Sequence, residues 1–390
     1  MVRYPRRVAD RTRGSYRAAG PQSVTFVELF FDLVFVFAVT QLTGLTAHDL
    51  TPDGILRSIL LGWLIWWAWT QFTWTLNPAD TTHPVVRVVT LAATGVALVM
   101  AASVPRAFGD DALWFAMPYV LVRVLGLGLQ VRVDLERVEG SHAGVATWAG
   151  FSSIGLVLVL IGAIADPTVR PWLWLLAILA DLLAAARAGR NTIWDLNPAH
   201  LSERHGLFVI IAIGESLIVA GTAVANDERS TALAAAAAAA ILVASLMWWT
   251  YFGWLKDALE HRYAGAPPER MGPLARDAFS LAHFPLIGGI VGFAVAIEEI
   301  GAHPHDPAPA AVLASLGIGV ALFVAASAAS LRICGGRLLV PRLVILAVML
   351  VALILVAPMP PVWPLVVVAV ALLAIVLIEG SGPTAQPSAT

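Results

Sequence analysis

Long apolar runs separated by short polar segments extend along the whole chain. Windows of about 20 predominantly apolar residues, the length that crosses a bilayer as a helix, recur throughout. This pattern predicts an all-α polytopic membrane protein with about twelve transmembrane helices, at residues 24–47, 54–76, 85–105, 112–131, 145–165, 171–187, 204–226, 233–254, 277–297, 309–331, 339–357 and 361–379.

The first apolar run carries two acidic residues, Glu28 and Asp32. On a helix they share one narrow polar stripe with Thr25 and Thr43, within about 60° of one another. An acid inside a membrane helix costs about 2.5–3.5 kcal/mol, so it is usually paired or hydrated. Glu28 is close enough to the interface to reach water by snorkelling, which is the alternative to a buried partner. Asp32, about 12 Å along the helix, is too deep for that.

Composition places the chain in the membrane class, with the lipid bilayer as its first partner. The sequence is 59% hydrophobic and 13% charged, against about 25% charged in soluble domains. A single cysteine excludes an internal disulfide framework. No nucleophile triad, phosphate-binding glycine loop or aromatic-basic patch is present, so we expect no enzyme, no cofactor and no nucleic-acid partner. The oligomeric state is not indicated.

Basic residues predict the orientation. With the N-terminus inside, cytoplasmic segments hold 19 of the 24 Lys and Arg residues and outside loops hold four. The positive-inside rule therefore predicts a bacterial inner-membrane protein with both termini cytoplasmic. Residues 1–23 form a basic tail, and residues 380–390 carry no charge and are expected to be a disordered tail.

A repeated motif indicates duplication. The pattern W-T-x-F-x-W occurs at Trp69–Trp74 and again, 180 residues later, at Trp249–Trp254. It favours two parallel six-helix repeats, at 24–190 and 191–379, related by an axis along the membrane normal. The alternative is that tryptophans simply collect at membrane interfaces.

Four charged residues are predicted at a similar depth near the bilayer middle: Asp32, Arg123, Asp181 and Glu215. With Glu28, four acids face one arginine, which leaves three unbalanced negative charges if all ionise. Either some acids are protonated or a cation is bound. Arg123 is the expected counter-ion, since a guanidinium can bridge two carboxylates.

Span nine contains His283 close to Pro285, which predicts a kink or break beside the histidine. Broken helices are where transporters place their sites. The alternative is a kinked packing helix with a contact face at Gly288 and Gly292. The longest loop is expected at Lys256–Arg276.

A polar cluster, His200, Glu203 and Arg204, precedes span seven. Arg204 shares a helix stripe with Glu215, which would give that acid a polar approach from the cytoplasm. His200 and Glu203 are spaced to share a metal, although a helix-cap hydrogen bond is the commoner use of such a pair. A metalloenzyme that also used His205 is the remote alternative.

Two stretches resemble the hallmark motifs of the bacterial low temperature requirement protein A (LtrA) family. They are Val27-Glu-Leu-Phe-Phe-Asp-Leu-Val-Phe-Val-Phe-Ala-Val-Thr-Gln-Leu42 and His200-Leu-Ser-Glu-Arg-His-Gly-Leu-Phe-Val-Ile-Ile-Ala-Ile-Gly-Glu-Ser216. The resemblance implies a multi-pass bacterial inner-membrane protein linked to growth at low temperature, and it supplies no molecular activity.

The residues favour a transporter or channel-like protein for a small cation or a proton-coupled solute. In this hypothesis the acids of spans one and seven bind the ion, Asp181 contributes, Arg123 balances the charge and His283 lines the path. The alternative is a non-transporting scaffold or assembly factor whose buried charges only fix helix packing.

Overall fold

The computed structural model describes residues 14–137, 142–188, 194–226 and 230–380, and all regular structure within these ranges is helical. The all-α expectation is therefore confirmed for this part of the chain. The helices are α1 (Phe26–His48), α2 (Pro52–Leu76), α3 (Pro84–Ala102), α4 (Leu113–Leu135), α5 (Ala143–Ile164), α6 (Arg170–Ala188), α7 (Pro198–Asn226), α8 (Thr231–Phe252), α9 (Leu255–Ala264), α10 (Pro268–Leu274), α11 (His283–Ala302), α12 (Ala310–Ile333), α13 (Val340–Val356) and α14 (Val362–Gly380).

Within the described ranges, ten helical segments are long and apolar enough to cross a membrane, so the chain is of the multi-pass membrane type. Two further predicted spans coincide with α2 and α13. α2 has 25 residues but contains five Trp and three Thr, and α13 has only 17 residues. The total of twelve spans and the repeat arrangement stay predictions.

Several predicted boundaries lie outside the described residues. These are residues 1–13 of the basic tail, the repeat boundary at 190/191, and residues 381–390 of the C-terminal tail. The described end of the basic tail contacts the loop after α2, where the Ala18 amide donates to the Pro78 carbonyl at 3.0 Å and the Asp80 amide to that of Tyr16 at 2.8 Å.

The predicted loop at Lys256–Arg276 is largely helical, which corrects that expectation. It contains α9 and α10, and Pro268 occupies the first turn of α10, where its missing amide hydrogen leaves no bond unmade. A π-helical turn, Ala275–Leu281, follows and ends just before His283. The predicted irregularity beside His283 is thus present, as a π-turn that precedes the proline.

The chain divides into two compact units. The first comprises the described residues of 1–41, 60–204 and 266–276, and the second those of 42–59, 205–265 and 277–390. In the first unit α4 packs on α3 and α5, and α5 packs on α6. In the second, α11 packs on α12, α8 on α14, and α13 on both α12 and α14.

Helices α11 and α12 approach each other through glycine. A Cβ added at Gly289 would lie 2.4 Å from the carbonyl oxygen of Gly319, and one at Gly292 would lie 3.2 Å from that of Ser315. Gly288 has open space instead. The contact face is therefore Gly289 with Gly292, so Gly289 takes the place of Gly288 in the predicted pair.

Asp-x-Thr turns occur in three interhelical loops of the described residues, after α1, α2 and α5. Asp49 accepts hydrogen bonds from the hydroxyl (2.6 Å) and amide (3.2 Å) of Thr51, and Asp166 accepts the same pair from Thr168 (2.7 and 2.8 Å). These bonds stabilise the carboxylate form, so the pKa values of Asp49 and Asp166 are lowered, chiefly by the threonine hydroxyl.

Candidate functional site

Glu28 lies in the first turn of α1, and one of its carboxylate oxygens is bound by Thr25, the residue just before the helix. Thr25 donates to Glu28 Oε1 from its backbone amide (3.0 Å) and its hydroxyl (2.8 Å). A Thr followed three residues later by Glu is the sequence signature of a helix N-terminus, and an acid there favours the helix dipole. Glu28 is completely buried, so the snorkelling alternative is wrong.

Helix α7 begins earlier than predicted. Asn197 precedes Pro198, and its side-chain oxygen accepts the His200 amide at 3.4 Å, as expected for a capping residue followed by a first-turn proline. Arg204 therefore lies in the second turn of α7 and is fully buried.

Arg204 connects both acids of α1. One terminal nitrogen donates to Glu28 Oε2 at 2.8 Å and the other donates to Asp32 Oδ1 at 2.6 Å. Because Glu28 and Asp32 are one helical turn apart, a single guanidinium reaches both. The predicted polar stripe of α1 is thus occupied by an arginine from α7.

Asp32 accepts hydrogen bonds on only one of its two carboxylate oxygens. Trp69 of α2 donates its indole N–H to the same oxygen, Oδ1, at 2.7 Å, and its ring lies 5.7 Å from the Arg204 guanidinium carbon. Among the residues that the structure describes, Asp32 Oδ2 has no hydrogen-bond partner, although it is inaccessible to solvent. An ionised oxygen in that state is energetically costly.

His200 completes the group that we call the Arg204 cluster: Glu28, Asp32, Trp69, His200 and Arg204. Its Nε2 lies 2.9 Å from Glu28 Oε2, and its Nδ1 lies 3.3 Å from the side-chain nitrogen of Asn77.

The orientation of the Asn77 amide is set by the backbone of Asn197, which donates to the Asn77 oxygen at 2.7 Å and accepts from the nitrogen at 3.0 Å. Nδ1 of His200 must then accept a hydrogen bond. The imidazole is consequently neutral, with its proton on Nε2, the nitrogen that lies close to Glu28 Oε2 but is not aligned for a hydrogen bond to it.

The charge balance of the Arg204 cluster follows. Two carboxylates face one guanidinium and one neutral histidine, which gives a net charge of −1 when both acids ionise. The expectation of three unbalanced charges around Arg123 is corrected, because α7 buries Arg204 as a second counter-ion. Arg204 is engaged with the acids of α1, and its role as a polar approach to Glu215 stays a prediction.

Arg123 forms a separate cluster with Asp181. Its two terminal nitrogens bond both carboxylate oxygens, at 3.0 and 2.9 Å, and its remaining donors bind Tyr119, Ser152 and Gln71. Ser152 also donates to Asp181 at 3.0 Å. Every donor of Arg123 is satisfied, so this pair meets the conditions under which a buried ion pair is stable.

Glu203 and the proposed metal ligands have other uses. Glu203 accepts the amide of Val24 at 3.1 Å, two residues before α1 begins. The predicted helix-cap use of His200 and Glu203 stays a prediction. Among the described residues, no group of three or more His, Cys, Asp or Glu side chains is placed to hold a metal ion.

The other two predicted site residues belong to the second unit, where both Glu215 and His283 are buried. His283 donates from Nδ1 to the Ala278 carbonyl of the π-turn at 2.9 Å, so its Nε2 accepts the Tyr251 hydroxyl at 2.8 Å. Its ring also packs at 5.2 Å from that of His205. A shared site for all six predicted ion-binding residues stays a prediction.

Sequence reasoning did not single out two polar contacts. Asn77 and Asn197, which orient His200, belong to identical Leu-Asn-Pro-Ala stretches at 76–79 and 196–199, and this repeat was the available signal. The second contact is the buried pair of Arg342 and Glu379, at 2.6 and 2.8 Å, to which Trp254 adds a 2.8 Å bond. An arginine inside an apolar helix was its signal.

Comparison with known proteins agrees with the two motifs. The profile of a family described as bacterial low temperature requirement A protein (LtrA) matches residues 23–377, most of the chain. A protein of Rhizobium meliloti (strain 1021), described as uncharacterized protein RA0937, is 28% identical over 296 residues, which cover 72% of this chain and 70% of that protein. No solved structure matches.

Proposed function

This chain belongs to the bacterial low temperature requirement A family, and we propose that it is a membrane transporter or channel-like protein for a small cation or a proton-coupled solute. The observation that carries the proposal is the net negative charge of the Arg204 cluster, which includes a buried carboxylate oxygen, Asp32 Oδ2, without a partner among the described residues.

A purely structural ion pair has no need of an uncompensated charge. Isolated charges in a low-dielectric interior cost several kcal/mol each, and evolution of a packing contact would favour a neutral, fully bonded set. The Arg123–Asp181 pair has that form and the Arg204 cluster does not. The difference supports ion binding at Asp32.

The proposal gives each predicted residue a role. Glu28 and Asp32 are the ion-binding residues of the Arg204 cluster, and Arg204 is their counter-ion, a role first expected of Arg123. Glu215 and His283, both buried in the second unit, contribute further polar groups of the pathway. Arg123 and Asp181 maintain the helix packing of the first unit.

We place the protein in the bacterial inner membrane with both termini in the cytoplasm. The support is the apolar character of the helices and the distribution of basic residues, with 19 of 24 on one side. The protein acts without enzymatic chemistry in this proposal.

Ion flux in proteoliposomes tests the proposal. Wild-type protein is expected to conduct protons, sodium or potassium in an assay with ion-sensitive dyes, and Asp32→Asn is expected to abolish the flux. Asp53→Asn is the matched control, since that aspartate is 63% exposed and pairs with Arg57 at the start of α2. Equal flux in Asp32→Asn and wild-type protein would contradict the proposal, as would the absence of any flux from folded protein.

The second candidate is a non-transporting scaffold or assembly factor, favoured by the complete bonding of the Arg123–Asp181 pair. It predicts that a variant in which all three charges of the Arg204 cluster are replaced by uncharged side chains, Glu28→Gln with Asp32→Leu and Arg204→Met, preserves growth of the host at low temperature. Loss of growth from a folded triple variant favours transport.

A further inference from the structure

We propose, resting on the proposed function, that the ion bound by the Arg204 cluster is a proton and that its binding atom is Oδ2 of Asp32. The cluster offers one open carboxylate oxygen and no cage for a metal cation. This assignment distinguishes the proton from sodium and potassium, which the proposed function leaves open.

The two acids of the cluster differ in their hydrogen bonding. Glu28 accepts three hydrogen bonds, from the Thr25 amide and hydroxyl on Oε1 and from Arg204 on Oε2, and His200 Nε2 lies 2.9 Å from Oε2. Such a carboxylate is stabilised in its ionised form. Asp32 has two donors, both on Oδ1. The acid that can accept a proton without losing a bond is therefore Asp32.

The geometry does not suit a metal cation. Hard cations in proteins take about six to eight oxygen ligands, and selective sites often use backbone carbonyls. Within the cluster the other three carboxylate oxygens already accept bonds, and α1, α2 and α7 are continuous helices at these residues, so their carbonyls are used within the helices. A proton requires only one atom.

The charges that face Asp32 make its protonation a switch. They are Arg204 from α7 and Glu28 from its own helix, while His200 is neutral and Trp69 contributes a dipole. Binding of one proton to Oδ2 converts the carboxylate to a carboxylic acid and the cluster from −1 to neutral. The attraction between Asp32 and Arg204 weakens, and Arg204 remains bound to Glu28. Protonation takes one proton from water and forms one O–H bond on Oδ2, and deprotonation breaks that bond and returns the proton to water, so no other covalent bond changes.

Infrared spectroscopy of the purified protein tests this assignment independently of transport. The protein is labelled with carbon-13 aspartate, and the carbonyl stretch of protonated aspartic acid is followed against pH in a membrane mimetic. A label-sensitive band that is lost at alkaline pH is expected in wild-type protein and in the Asp53→Asn control. It is expected to be missing from Asp32→Asn.

Two further variants test the inference independently if Asp32→Asn does not fold. In Asp32→Glu the same band should become insensitive to the aspartate label. In Trp69→Phe, which removes a donor to the ionised form, the band should persist to higher pH.

Two results would overturn the inference. In the first, the infrared bands of Asp32→Asn and Asp32→Glu are the same as those of wild-type protein. In the second, sodium or potassium removes the band at fixed pH and ionic strength. The flux assay separates the two proposals. An Asp32-dependent sodium or potassium flux, with no proton flux, overturns the proton assignment and leaves transport standing. A titrating Asp32 in a protein without flux supports proton binding and removes the transport function.

Discussion

Arg123 and Asp181 are joined by two parallel hydrogen bonds, 3.0 Å and 2.9 Å long, between the guanidinium of α4 and both carboxylate oxygens of α6. Asp32 differs from Asp181, because both hydrogen bonds that Asp32 accepts are on one oxygen, Oδ1. The same unit thus contains one buried aspartate whose charge is fully compensated and one whose charge is not. We assign stability to the first and ion binding to the second.

Breaking the Arg123–Asp181 pair should destabilise the protein strongly. Arg123→Met alone leaves Asp181 buried and uncompensated and should cost about 3–5 kcal/mol, whereas Arg123→Met with Asp181→Leu should recover most of the loss. Denaturant unfolding in detergent measures both. The exposed pair of Asp53 and Arg57 is the control, since Asp53→Asn should cost less than about 1 kcal/mol. A double variant as unstable as the single one would contradict this role.

The protonation state of His200 should depend on Asn77. In wild-type protein Nδ1 of His200 accepts from Asn77 and carries no proton. Asn77→Asp replaces that donor by an acceptor, so Nδ1 should become protonated. Nitrogen-15 NMR of histidine-labelled protein, with nine histidines in the chain and His200→Gln to assign the signal, measures the change.

The signal of His305 serves as the internal control for that experiment. This histidine lies in the exposed loop between α11 and α12, 228 residues from Asn77 in the chain, so its shift should be unchanged. A wild-type spectrum in which Nδ1 of His200 already carries a proton would refute the neutral assignment.

Gly289 should be intolerant of alanine. Its added methyl group would meet the Gly319 carbonyl at 2.4 Å and the Phe323 amide nitrogen at 2.6 Å, both backbone atoms, so α11 and α12 would have to separate. Overpacking of this kind costs about 1–3 kcal/mol. Gly288→Ala is the matched control, because nothing lies within 4 Å of its added methyl. The midpoint temperature of thermal unfolding should fall strongly for Gly289→Ala only. Equal decreases in the two variants would refute the contact.

The orientation can be tested by cysteine labelling. In a Cys334→Ala background, Asp306→Cys should react with a membrane-impermeable maleimide in intact cells, since residue 306 lies in an exposed loop on the predicted outer side. Ala264→Cys, exposed at the end of α9 on the predicted inner side, should react only after permeabilisation. The opposite labelling pattern would show that the predicted orientation is wrong.

The sequence by itself determined the membrane class, the positions of the helices and the family, because these depend on local properties. Apolar length, turn residues and the Thr25–Glu28 start of α1 act within a few residues of one another. The same local reasoning identified Glu28, Asp32, Asp181, Glu215 and Arg123 as charges inside the membrane that need partners.

Only the tertiary structure decided which charge meets which. Arg204 is 172 residues from Asp32 and 176 from Glu28 in the chain, and no periodicity along a single helix can specify a contact between two helices. Neither the choice of Asp181 for Arg123 nor the single-sided bonding of Asp32 is a property of one segment. Hydrogen bonds require positions accurate to a few tenths of an ångström, and such accuracy comes from the packing of helices against each other.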